Sequence, residues 1–402
     1  MVLERFTDWM NASRREREMA MQSCLDRIRE QDPAIQAWAQ VLPAPPTGDG
    51  PLSGVPFGAK DIIETRGLRT EYGSPIYRGR VGTEDAAIVR DLRARGAVLL
   101  GKTQTAAFAH RTPPPTRNPR NLNHTPGGSS SGSAAAVAAG MVPFALGTQT
   151  RGSVLRPASF CGVTGFKPTY GRVSLEGVLP LARSLDTLGL FAHTPTDMLR
   201  LWEAMGHSAQ AEDAIVFGVP EPEPEVEPEM AAAFHGAVAA LRDAGFPIMP
   251  IDVASALTSL DAAGIVVMHY EGARFHEQRF TEYGSRLTDI ATLVVEGLQI
   301  PVEKYEQARG HIAEGRARFA EIYESTPVIL VPAATGPAPV GLGSTGDPRM
   351  NGSWTALGTP AISVPMPVSG MPLGLQLTAD RGQDGRLLRA AEQVHRVLHA
   401  SR

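Results

Sequence analysis

Between Asp8 and Arg29, apolar residues recur at helical rather than alternating intervals, with Trp9, Met10, Met19, Met21, Leu25 and Ile28 set among charged neighbours. The pattern predicts an amphipathic helix packed on a larger body. Asp32-Pro33 is expected to stop it, because proline has no N–H to continue the ladder. Pro43 to Pro51 then reads as a loop. A short apolar run, Val55 to Phe57, leads to Lys60, and Glu64 to Arg80, interrupted by Gly67, Gly73 and Pro75, reads as irregular. A helix follows from about Glu84 to Arg95, closed by Gly96, and Ala97 to Lys102 reads as a buried strand. Strand, helix and strand in succession argue for an α/β architecture.

The stretch Gly127 to Ser133 (Gly-Gly-Ser-Ser-Ser-Gly-Ser) has too little side chain for a core and too much glycine for a regular element, so it reads as a turn. Alanine-rich Ser133 to Gly140 is a helix candidate, with Ser131 or Ser133 as its cap. After the apolar run Val142 to Leu146, a second serine-bearing turn is expected over Gly147 to Ser153. Upstream, Thr103 to Thr125 is a polar, proline-rich loop whose His110 and His124 are read as hydrogen-bonding histidines, since neither has a metal-ligand spacing. Downstream, a strand is expected at Ile215 to Val219 and an exposed acidic, proline-rich run at Glu221 to Glu229. Helices are expected over Met230–Ala244, Ile265–Phe280, Leu287–Leu298, Glu303–Tyr323 and Asp384–His399, with a buried strand at Val328–Pro332.

The chain has 402 residues, 43% of them hydrophobic, enough for one large α/β domain. A formal net charge of −4 gives no electrostatic footprint for nucleic acid or an anionic membrane. Two distant cysteines, Cys24 and Cys161, make no disulfide framework, and Cys161 reads as buried packing. Glu4, Arg5 and Asp8 precede any apolar run, and no apolar stretch has the length of a membrane span, so a cytoplasmic protein is expected.

Glycine turns ahead of helices serve several chemistries. A phosphate-binding loop needs lysine where this chain has Ser133, and a nucleophile elbow needs a glycine two residues after its serine, which Ser153 lacks. An isolated Gly/Ser cluster would ordinarily be a tight turn and nothing more. What changes the reading is Lys60 in Gly54-Val-Pro-Phe-Gly-Ala-Lys60-Asp61, together with Gly127-Gly-Ser-Ser-Ser-Gly-Ser133, Gly147-Thr-Gln-Thr-Arg-Gly-Ser153 and Phe160-Cys-Gly-Val-Thr-Gly-Phe-Lys-Pro-Thr169. These segments resemble the amidase signature family, from about Leu52 to Leu190 and again from Asn351 to Gln376.

The resemblance implies one large domain with a central mixed β-sheet covered by helices on both faces. Its parts would be an N-terminal helical segment (1–42), a signature core (52–195), a variable substrate-side region (about 220–325) and a closing segment (326–402). It also implies a catalytic triad of Ser153, Ser129 and Lys60, with the two serines 24 positions apart. Ser153 would be the acylated nucleophile, Ser129 a proton relay following a cis peptide bond, and Lys60 a base kept neutral by burial. Backbone N–H groups of Thr150, Arg151, Gly152 and Ser153 would hold the oxyanion. Ser130, Gln149 and Arg151 would form the surrounding layer.

Departures from the family pattern are Gln149, where many members carry aspartate, Arg151 in place of a glycine, and Arg156 three rather than two residues after the nucleophile. Arg151 has two readings, an anion-binding group or a loop brace, and the brace is favoured. Asp186, in a family segment Ser-x-Asp-x-x-Gly, is also read as a loop brace. The resulting expectation is an amidase that cleaves small carboxamides, and esters alongside, through an acyl-enzyme. It needs neither metal nor organic cofactor, its partner is the small amide, and a homodimer is compatible with it. Alternatives are a glutamine-hydrolysing subunit of a tRNA-dependent amidotransferase and a non-catalytic binding protein on the same fold.

Overall fold

The computed structural model describes residues 2–209 and 215–400. Among them, eleven strands form one sheet in the order β1-β3-β2-β4-β6-β5-β10-β11-β9-β7-β8. Its first half comprises β1 (Trp38–Ala44), β2 (Pro56–Lys60), β3 (Val98–Thr103), β4 (Phe144–Gln149), β5 (Thr164–Lys167) and β6 (Thr187–Ala192). The second half comprises β7 (Phe217–Pro220), β8 (Ile248–Ile251), β9 (Val328–Pro332), β10 (Ala361–Pro365) and β11 (Gly374–Ala379). The sheet is mixed: β2 runs parallel to both β3 and β4, whereas β6 pairs antiparallel with β4 and β5. Every residue of β2, β4, β5, β6, β9 and β11 is buried, so these strands are covered on both faces. Among the described residues, no helix is long and apolar enough to cross a membrane.

Twelve helices among the described residues surround the sheet. The N-terminal amphipathic segment is two helices, α1 (Phe6–Asn11) and α2 (Arg14–Ile35), split where the Ser13 side chain accepts from Glu16 N and Glu16 reaches back to Ser13 N. Proline does not end α2 as expected. Pro33 lies in its last turn, and the helix stops at Gln36, whose left-handed backbone returns its N–H to Asp32 O at 2.7 Å. Pro43 is likewise not in a loop but in β1, which lies at the sheet's edge, where a missing ladder donor is tolerated.

Between β2 and β4 come α3 (Ala87–Ala94) and α4 (Ser131–Ala138). Neither Ser131 nor Ser133 caps α4. Ser131 Oγ donates to Gly127 O (2.6 Å), and Ser133 Oγ bridges to Leu146 O (2.8 Å) and Thr103 Oγ1 (2.7 Å), tying the helix to β4 and β3. Gly132 lets this helix lie close, because a Cβ there would meet Ala37 O at 2.2 Å. The turn expected over Gly147 to Ser153 is shorter: Gly147, Thr148 and Gln149 still belong to β4, paired with Gly189, Leu188 and Thr187 of β6.

After the turn come α5 (Leu155–Cys161) and α6 (Pro195–Ala204), and the middle of the chain adds α7 (Pro228–Asp243), α8 (Ala254–Tyr283), α9 (Asp289–Leu298) and α10 (Val302–Ser325). The chain closes with α11 (Arg349–Leu357) and α12 (Asp384–His399), the latter over the expected range. Cys24 and Cys161 are both buried thiols, pushed up to about 12 by desolvation.

Candidate active site

Lys60 ends β2 with its side chain fully buried. Its Nζ lies 2.8 Å from Ser129 Oγ, 2.8 Å from Thr148 Oγ1 and 3.4 Å from Thr148 O. The second hydroxyl, Thr148 on β4, was not anticipated from the sequence. Burial holds the Lys60 ammonium well below the ordinary lysine range, and the Asp186 carboxylate opposes that shift without cancelling it. Two other buried lysines differ in what answers them. Lys102 on β3 has Asp61 at 3.7 Å and falls only to about 8, and Lys167 on β5 donates to the carbonyls of Thr359 and Pro168. Lys60 instead faces two hydroxyls that can themselves carry protons.

Ser129 follows a cis Gly128–Ser129 peptide bond, at the position the resemblance implied. The adjoining Ser130 is locked to β4, its Oγ donating to Thr148 O (3.2 Å) and accepting from Thr148 N (3.3 Å). Glycine is required at 128, since a Cβ there would meet Thr345 Cγ2 at 2.7 Å and Ser131 Oγ at 2.9 Å. The loop carrying Ser129 is therefore pinned to the strand that carries Thr148.

The Thr150–Ser153 turn is braced by several separate parts of the fold. Gln149 Oε1 accepts from Val154 N (2.9 Å) and Leu155 N (3.1 Å), while its Nε2 donates to Thr355 Oγ1 on α11 (3.0 Å). Gln149 thus supplies an acceptor at the start of α5 without a charge. Thr150 Oγ1 donates to Asp186 Oδ1 (2.6 Å), and Asp186 Oδ2 accepts from Leu181 N (2.8 Å) and Ala182 N (3.0 Å). The brace expected of Asp186 is present, and desolvation pushes its carboxyl up to about 6.

Arg151 pairs with Asp261 on α8, at 2.6 Å and 3.3 Å, so its guanidinium also braces the turn. Its carbonyl accepts from Thr355 Oγ1 at 2.7 Å. Gly152 is wedged against Asn351 Oδ1 and Arg156 Nη1, which a Cβ would meet at 2.4 Å and 2.8 Å. Among the described residues, the backbone N–H groups of Arg151, Gly152 and Ser153 donate to no other backbone group.

Ser153 is half-buried and opens onto a cavity of about 540 Å³ also lined by Thr150, Arg151, Gly152 and Arg156. Lys60 and Ser129 are both buried and are not among the described residues lining this cavity. His110 lines the same cavity, with its Nε2 3.7 Å from Asp289 Oδ2, beyond hydrogen-bond reach. His124 does hydrogen-bond, through Nδ1 to Ala338 O at 2.7 Å. Among the described residues, no group of three or more His, Cys, Asp or Glu is arranged to hold a metal ion.

Asp261, Thr345, Asn351 and Thr355 complete the turn's surroundings from far along the chain, with no local motif to announce them. For Asn351 and Thr355, the closing-segment resemblance was the available signal.

A family model described as Amidase matches residues 20–388. A relative from Chromohalobacter salexigens, named as a Glutamyl-tRNA(Gln) amidotransferase subunit, is 41% identical over 230 residues, covering 52% of this chain and 47% of that one. The chain thus spans about half the length of this relative. A solved structure described as a crystal structure of amidase superimposes with a TM-score of 0.84 at 29% identity, covering 94% of this chain and 95% of the other. The solved structure of a Glutamyl-tRNA(Gln) amidotransferase subunit from Thermotoga maritima gives a TM-score of 0.84 at 29% identity, over 99% and 94% of the two chains.

Proposed function

Since the chain belongs to the amidase family, whose model matches residues 20–388, we propose that it hydrolyses the C–N bond of a small linear carboxamide, with Ser153 as nucleophile. A serine hydroxyl needs a base at neutral pH, and a lysine serves only when neutral. The observation that carries this reading is the buried Lys60 Nζ at 2.8 Å from Ser129 Oγ and 2.8 Å from Thr148 Oγ1, on the strand that runs into the turn carrying Ser153. In the proposed sequence, Ser153 gives its proton to Ser129 as Ser129 gives its own to Lys60. The Ser153 oxygen attacks the carbonyl, and the N–H groups of Arg151, Gly152 and Ser153, with that of Thr150, receive the oxyanion. Reversal of the relay protonates the departing nitrogen, and water then attacks the acyl-enzyme with the same base. Donors of this kind typically contribute about 3–4 kcal/mol each to barrier lowering, which requires a stationary turn. The bonds from Gln149, Asp186, Asp261 and Thr355 support that requirement.

The test is intact-protein mass spectrometry after exposure to a fluorophosphonate, followed by ammonia release from a panel of short amides. Labelling of the natural sequence but not of Ser153→Ala is expected. Equal labelling of both, or of neither, would sink the assignment of Ser153.

A second reading is favoured by the relatives named as an amidotransferase subunit. Under it the chain hydrolyses glutamine and hands ammonia to a partner, so its partners would extend beyond a small molecule. Glutamine turnover that rises many-fold with a co-purified protein would select this reading. Full turnover of a simple amide by the isolated chain would select the first.

A further inference from the structure

The cavity in front of Ser153 carries an imbalance of charge that the proposed reaction does not use. Arg111, Arg151 and Arg156 line it, whereas Asp347 is the only carboxylate among its described lining residues. Two of these charges are answered nearby: Arg151 by Asp261 at 2.6 Å, and Asp347 by Arg349 at 3.4 Å. Among the described residues, the guanidinium groups of Arg111 and Arg156 have no carboxylate within ion-pair distance.

Arg156 is the more telling of the two, because it is only 4% exposed. Its Nε donates to Thr345 O (2.7 Å) and its Nη2 to Gly128 O (2.6 Å), but its buried Nη1 has no partner. A buried cationic donor left unpaired is costly. Burial, and then the charge of Arg151, both disfavour its protonated form. Arg156 also stands three residues past Ser153, with its N–H bonded to Gly152 O at 3.1 Å. Nη1 would lie 2.8 Å from a Cβ on Gly152, the residue next to the nucleophile. The unpaired donor therefore lies within a few bonds' reach of the point of attack.

We propose that the substrate carries a carboxylate a few bonds from the scissile carbonyl, seated on Arg156 with Arg111 on the solvent side, so that short monoamides of dicarboxylic acids are preferred over neutral amides. The inference rests on Ser153 being the nucleophile for its catalytic meaning. The rigid, planar fork of a guanidinium suits a carboxylate, and the ion pair would form in a partly desolvated cavity where it is stronger than in water.

The experiment is calorimetric titration of the Ser153→Ala protein with succinamate and with succinamide, which differ by one charge at nearly constant shape. Succinamate is expected to bind at least about 10-fold more tightly, the scale of one charged hydrogen bond, and to weaken as salt is added. Arg156→Gln in the same background should erase the difference, and Arg111→Gln should narrow it. Because Arg156 also holds Gly128 O and Thr345 O, a thermal melt accompanies R156Q, and the exposed Arg111 variant gives an independent answer if R156Q is misfolded. Equal affinity for the two ligands, or tighter binding of succinamide, overturns the proposal. Fluorophosphonate labelling of the natural sequence without discrimination overturns the carboxylate seat alone. Discrimination without labelling overturns the catalytic reading and leaves an anion-binding cavity.

Discussion

Replacing Lys60 with methionine separates the cost of this site to folding from its contribution to reaction. The side chain is fully buried, and methionine has nearly its length and volume. Two good hydrogen bonds are lost, to Ser129 Oγ and Thr148 Oγ1, each at 2.8 Å. Bonds of that kind contribute about 1 kcal/mol apiece. Against this loss, keeping an amine out of water costs about 1–3 kcal/mol, and a thioether largely avoids that cost. The terms nearly cancel, so stability should stay within about 1–2 kcal/mol and the melting temperature within about 4 °C.

Turnover should respond differently, because a base worth about 100- to 10,000-fold has been removed. That factor corresponds to about 3–5 kcal/mol in the barrier. The assay pairs a calorimetric melt with the rate of fluorophosphonate labelling and with amide turnover. Labelling within tenfold of the parent would refute the assignment of Lys60 as base. A fall of more than about 10 °C would refute the ledger, showing that Lys60 holds the fold together.

Four further outcomes follow from the geometry. Asp186 favours the ammonium form of Lys60, so Asp186→Asn should move the acidic limb of the kcat/KM profile to lower pH. A limb that stays in place, or moves up, would detach Asp186 from Lys60. Gly152→Ala drives a Cβ to 2.4 Å from Asn351 Oδ1 and 2.8 Å from Arg156 Nη1, and should lower kcat/KM at least about 100-fold by displacing an oxyanion donor, read by steady-state kinetics. Lys167 has a folded-state value of about 7 against about 10.4 when unfolded. Between those values the unfolded chain binds more protons, so this residue's contribution to stability declines as pH falls from 10 to 7, and Lys167→Met should flatten that part of a melting-temperature profile. Asp261→Ala leaves Arg151 half-buried without its counter-charge, and should slow labelling of Ser153 while destabilising the chain by about 3 kcal/mol, measured by denaturant titration.

Much of this architecture was written locally. Val328–Pro332 and Asp384–His399 appear over the ranges their periodicity predicts, because a buried strand and an amphipathic helix each carry their burial pattern in contiguous residues. Where reading by position failed, the cause was context. Pro33 and Pro43 look like breaks until one is placed in a helix's last turn and the other on an edge strand. Gly147 to Gln149 look like a turn until β6 is seen to pair with them.

The candidate site divides in the same way. Lys60, Ser129 and Ser153 are legible because they sit in dense motifs whose glycines and serines are needed at fixed spacing. The partners of the turn are not, since Asp261, Thr345, Asn351 and Thr355 come from segments more than a hundred residues away. The chain by itself determined its elements, its family and the residue types its chemistry requires, all properties of short stretches. Only the tertiary structure decided that Thr148 joins Ser129 in facing the buried Lys60, that Arg151 is neutralised by Asp261, and that Arg156 is left with an unpaired donor against Gly152. Desolvation and ion pairing depend on distances across the fold, which no local pattern of residues encodes.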